Sequence, residues 1–137
     1  MLLVGAALHA QKSAVFITGT TAIRGYHEVT YFTEHTSLKG IRDLSFGWNG
    51  STWYFSTGVN LDSFITNPEQ FAPQFGSYCA FGMADGHKAL TDPLSWSIVN
   101  DKRYLNYDKE VQAIWKEKQE EYIHCAEKNW PVLKDKE

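Results

Sequence analysis

SFGWNGSTWYFSTGVNLDSFITNPEQFAPQFGSYC, residues 45–79, decides the fold. At its centre is Asn49-Gly50, a pair favoured by two-residue type I′ turns because both central residues need positive φ. A turn there sets the register: Trp48 opposite Ser51, Phe46 opposite Trp53, Leu44 opposite Phe55. Side chains alternate along a strand, so these six share one face. Leu44, Phe46, Trp48, Trp53 and Phe55 make that face apolar. Ser45, Gly47, Thr52 and Tyr54 take the other. A two-stranded ribbon is not stable alone, so helices must cover the apolar side.

The same stretch supplies the helices. Thr57 predicts an N-cap for a helix to about Thr66, with Leu61, Phe64 and Ile65 on one side. Asn67-Pro68-Glu69 is a second start: a capping residue, Pro at the first helical position and an acid in the first turn. Phe71 would anchor it and Pro73 stop it. After a turn at Gly76-Ser77, Tyr78–Ala84 predicts a short helix ended by Gly86.

Downstream, Trp96–Val99 and Arg103–Leu105 read as a second hairpin around Asn100-Asp101. Asn106 would cap the longest helix, running to about Asn129, with Val111, Ile114, Trp115, Tyr122 and Ala126 at three- and four-residue spacing. Pro131 would stop it. Together these predict an α+β fold: a small single domain with two β-hairpins covered by short helices and a long C-terminal helix.

Upstream, residues 1–10 (MLLVGAALHA) resemble the apolar core and cleavage site of a truncated signal peptide, which implies a periplasmic or secreted protein. Residues 11–24 read as an N-terminal arm that includes the β-branched stretch AVFITGTTAI. Gly25–His35 (GYHEVTYFTEH) reads as a short strand or helical turn. No apolar run is long enough to span a bilayer.

The 137 residues amount to one domain. Thirteen basic against sixteen acidic residues leave a net charge of −3 with no basic patch, which argues against nucleic acid as a partner. Aromatic residues make up 15%, pointing to a ring-rich core or a ring-lined groove. Two cysteines without a CxxC exclude a zinc-finger framework.

GYHEVTYF, FGWNGSTWYFS, NPEQFAPQFGSYCAFGMADG, YLNY, VQAIW and NWP together resemble secreted YHS domain-containing proteins of bacteria, over about Ala22 to Leu133. The resemblance puts the YHS-like domain at 25–133. It implies a small α+β fold and a cysteine, Cys79, suspected of holding a metal ion. The family's usual GYDPVAYF appears here as GYHEVTYF, so His27 and Glu28 replace Asp-Pro.

Cys79 opens a predicted helix, and a helix N-terminus favours the thiolate. A buried, apolar cysteine is the plain alternative. Met83 lies one turn on and His87 four residues further, past Gly86. With His27, these give a candidate set for a soft transition metal, copper above all, since Cu(I) selects thiolate and thioether. His27 and His35 lie eight apart around an aromatic segment, and His124 and Cys125, adjacent on a helix, point about 100° apart and make a poor joint chelate. A Cys79–Cys125 disulfide would remove the free thiol.

The first expectation is therefore a secreted or periplasmic metal-binding module centred on Cys79. The second is a non-metal binding module in which Trp48, Tyr54 and Trp96 line a pocket or surface for a small apolar ligand or a partner protein. Ordinary packing explains much of the aromatic content and makes that groove the weaker reading. A thiol enzyme built on Cys79 comes third. No GxSxG, Walker, Rossmann or HExxH motif is present.

Overall fold

The computed structural model describes residues 15–18, 21–26, 29, 32 and 35–136. The signal-peptide stretch 1–10, His27 and Glu28 lie outside the described residues, as does most of Gly25–His35. The protein is a small single α+β domain with two sheets. Strands β1 (Ile17–Thr18), β2 (Thr21–Ala22), β3 (Ile41–Trp48) and β4 (Ser51–Phe55) form one sheet in the order β1-β2-β4-β3. Strands β5 (Trp96–Val99) and β6 (Lys102–Leu105) form the other. The helices are α1 (Gly58–Thr66), α2 (Pro68–Phe71), α3 (Ala80–Ala84), α4 (Lys109–Glu117) and α5 (Gln119–Leu133).

Both hairpin turns follow from their sequence. Asn49 and Gly50 have φ of 53° and 78°, and Asn100 and Asp101 have 52° and 62°. Such values come at low cost only to Gly, Asn and Asp. Trp48 pairs with Ser51 and Phe46 with Trp53, as the turn dictates. Further out the register departs from expectation. Ile41, not Leu44, pairs with Phe55, because the ladder is irregular between Ile41 and Ser45. Arg42 and Asp43 are exposed in this irregular stretch. Strand β3 is the sheet edge, and a bulge bearing charges blunts edge-to-edge pairing.

Helix α1 covers the apolar face as required. The Thr57 hydroxyl accepts from the Asn60 amide at 3.2 Å. Phe64 is fully buried, with ring centroids 5.0 Å from Phe55, 5.2 Å from Trp53 and 5.8 Å from Trp48. Ile65, expected beside it, is 43% exposed. One residue is about 100° of helix turn, so a neighbour of the inward residue need not face the sheet. Described residues of the segment read as an arm pack into the fold. Val15, Ala22 and Ile23 join the core with Trp53, Phe55, Phe64 and Leu105.

A second core of Phe75, Ala80, Met83, Tyr104, Trp115 and Ala126 lies under α3, α4 and α5. Here the single long helix predicted from Asn106 becomes two. Lys118 adopts φ −140°, ψ 45° and breaks the run, and Asp108, not Asn106, caps α4 by accepting from the Val111 amide at 2.8 Å. Ile114, placed on the inner face by spacing, is 44% exposed. Gln112 is buried instead and donates to the Ser97 hydroxyl at 2.9 Å. Pro131 lies inside α5, which ends at Leu133. No helix among the described residues is long and apolar enough to cross a membrane.

Candidate functional site

Cys79 sits at the N-cap of α3 and is buried, 1% exposed. The chain holds it from both sides. Its amide donates to the Ala89 carbonyl at 3.0 Å, and it bridges in parallel to Leu105 of β6. Its sulfur accepts from the Gly82 amide at 3.4 Å, replacing the usual hydroxyl or carboxylate of an N-cap. Its thiol donates to Asn106 Oδ1, also at 3.4 Å. Asn106 Oδ1 in turn accepts from the Phe81 amide at 3.0 Å. The asparagine expected to cap the following helix instead caps this one, 25 residues back along the chain.

Burial pushes the Cys79 thiol up from its ordinary value. Hydrogen bonds from backbone amides, Gly82 first, oppose the shift, and the Asp108 carboxylate adds slightly to it. Desolvation of the charged form outweighs the helix N-terminus, which favours the neutral, hydrogen-bonded thiol, the plain alternative to a thiolate.

Helix α3 ends as its sequence dictates. Gly86 has φ +95°. Its amide donates to the Met83 carbonyl and the His87 amide to the Gly82 carbonyl, at 3.1 and 3.0 Å. This is the Schellman pattern. It folds His87 back over Gly82, where His87 Nε2 lies 3.3 Å from the position a Cβ would take. The His87 side chain is 57% exposed, with Nδ1 3.6 Å from an Asp85 carboxylate oxygen. Met83 is fully buried in the second core. Cys79 and Met83 thus point inward while His87 is at the surface. Among the described residues, no group of three His, Cys, Asp or Glu side chains converges as metal ligands would. Cys79 and Cys125 are both free thiols, one buried and one exposed. His35 and His124 are exposed.

A different feature gathers side chains from distant parts of the chain. A cleft of about 330 Å³ opens between the β3–β4 turn, α2, the turn Gln74–Ser77 and the end of α5. Trp48, Trp53, Phe75 and Trp130 line it, with Asn49, Glu69, Gln74 and Lys134. Trp53 and Phe75 are buried, and Trp48 and Trp130 half-buried. Although rings line it, most of the wall that solvent reaches is polar.

The turn that presents Phe75 is unusual. Phe75, Gly76 and Ser77 have successive φ values of 56°, 61° and 71°. A non-glycine residue in this region is strained and persists only where its surroundings hold it. Here the Phe16 amide donates to the Gly76 carbonyl at 2.7 Å, and the Thr91 hydroxyl to the Ser77 carbonyl at 2.8 Å.

Of the three rings expected around a pocket, only Trp48 lines this one. Tyr54 lies on the opposite sheet face against Gly25, and Trp96 packs on the first core. Gln74, Phe75 and Trp130 were missed as site residues. Their only local signal was the Pro73 stop and the Gly76-Ser77 turn. Comparison with protein-family profiles, with curated proteins and with solved structures finds no match to this chain.

Proposed function

We propose that the protein is a small binding module whose ligand occupies the cleft between Trp48 and Trp130. One observation carries this: four aromatic rings from four separate segments converge on a single cleft of about 330 Å³. That volume falls within the range of ordinary ligand sites, which combine ring walls with a few polar groups. The ring-lined reading, weaker on sequence, gains from this geometry. The copper reading asks Cys79 to leave two hydrogen bonds and a buried position, and asks His87 to reach it from the surface. On the pattern from about Ala22 to Leu133 we also infer a YHS-like module of the secreted or periplasmic kind, with its binding chemistry in the cleft rather than at the cysteine.

Indole added to the ¹⁵N-labelled full chain tests the site. The indole Nε1–H signals of Trp48 and Trp130 are expected to shift saturably, and that of buried Trp115 to stay fixed. If neither moves with indole or with any member of a library of cyclic fragments, the cleft is not a binding site.

A further inference from the structure

The polar side chains around the cleft specify its ligand more narrowly than its rings do. Asn49, Glu69, Gln74 and Lys134 line the cleft, and their side chains make no hydrogen bond or ion pair among the described residues. Glu69 and Lys134 border one cleft without pairing with each other. Two neutral amides, one carboxylate and one ammonium offer both donors and acceptors at the rim, and the two opposite charges favour no net charge on the ligand. Trp48 and Trp130 are half-buried; Lys88 Nζ lies 6.0 Å from the Trp130 ring centroid, so the Trp130 ring already attracts weakly positive groups through its negative face. A pyranose has the matching chemistry. Its C–H faces are weakly positive and apolar, and its hydroxyls radiate from the ring edge to donate and accept together. A purely apolar ligand would make no use of the polar rim.

We propose that this cleft binds a neutral saccharide, one or two pyranose rings in size, stacked on Trp48 or Trp130 with its hydroxyls on Gln74, Asn49 and Glu69. The inference rests on the cleft being the ligand site.

The test titrates the full chain with cellobiose, chitobiose and maltose, following the indole signals of Trp48 and Trp130, with indole as a parallel probe. At least one disaccharide is expected to give saturable shifts at these two residues. Trp130→Ala should weaken that binding about tenfold or more. Gln74→Ala should weaken it about three- to tenfold while keeping the wild-type circular dichroism. If indole shifts the two tryptophans and no disaccharide does, the saccharide proposal is overturned while the cleft stands as a site. If neither shifts them, both fail. Disaccharide binding that Gln74→Ala and Trp130→Ala leave unchanged in folded protein also overturns the proposal.

Discussion

The Cys79 thiol donates a hydrogen bond to Asn106 Oδ1 at 3.4 Å, joining residues 27 apart in sequence in a fully buried contact. The same oxygen takes the Phe81 amide, so a single side chain ties β6 to the start of α3. The proton and the lone pair of Cys79 are both engaged, so low reactivity is expected of this N-cap cysteine.

That contact makes Asn106 the more important partner. Asn106→Ala strands the Phe81 amide and the Cys79 thiol without an acceptor. A cost of about 1–3 kcal/mol is expected, from one buried and one part-buried donor left unpaired, offset in part because Asn106 Nδ2 is itself buried without a partner among the described residues. Cys79→Ala removes the thiol but leaves Asn106 bonded to Phe81, and should cost less. Urea denaturation of both variants gives the order. A larger loss for Cys79→Ala would show that packing, not the shared oxygen, dominates.

Thiol chemistry should divide cleanly between the two cysteines. Iodoacetamide at pH 7 is expected to label exposed Cys125 in the native protein, and Cys79 only after denaturation. The folded-state pKa of Cys79 is raised above its ordinary 9.0, and that of Tyr104 above 10.0, chiefly by burial. Each contribution to stability is therefore full below the unfolded value and is lost as pH rises through the folded value. Stability should fall from about pH 9 upward. Cys79→Ala should flatten the lower part of that fall in a pH series of urea melts.

Copper provides a separate measurement. In competition with a Cu(I) chelator, Cys79→Ser is expected to bind as wild type does, because the thiol is buried and hydrogen-bonded at both its proton and its sulfur. Loss of a tight, stoichiometric site in Cys79→Ser alone would return the metal reading to first place.

Backbone approach at Gly40 gives a sharp stability contrast. A Cβ there would lie 2.4 Å from the Phe55 nitrogen and from the Tyr54 carbonyl carbon, both backbone atoms that cannot move aside. Gly40→Ala is expected to cost about 3 kcal/mol or more through overpacking. At Gly47 a Cβ meets nothing within 4 Å, so Gly47→Ala should fall within about 0.5 kcal/mol of wild type, as surface changes do. Thermal melts of the two variants make the comparison.

The sequence by itself determined the local pieces. Asn49-Gly50 and Asn100-Asp101 fix their turns through positive φ, Thr57 fixes the start of α1, and Gly86 fixes the end of α3, since each signal acts within a few residues. Tertiary structure decided whatever needed a partner from elsewhere. It turned Asn106 from a cap of the next helix into the cap of α3. It broke the long helix at Lys118 and turned Ile65 and Ile114 outward. It raised the Cys79 pKa through burial that helix position alone does not reveal. The cleft is the clearest case. Trp48, Phe75 and Trp130 are 27 and 55 positions apart in successive steps, and no local pattern links a hairpin turn, a strained loop and a helix end. They meet because two cores pack side by side, and packing is a property of the whole chain.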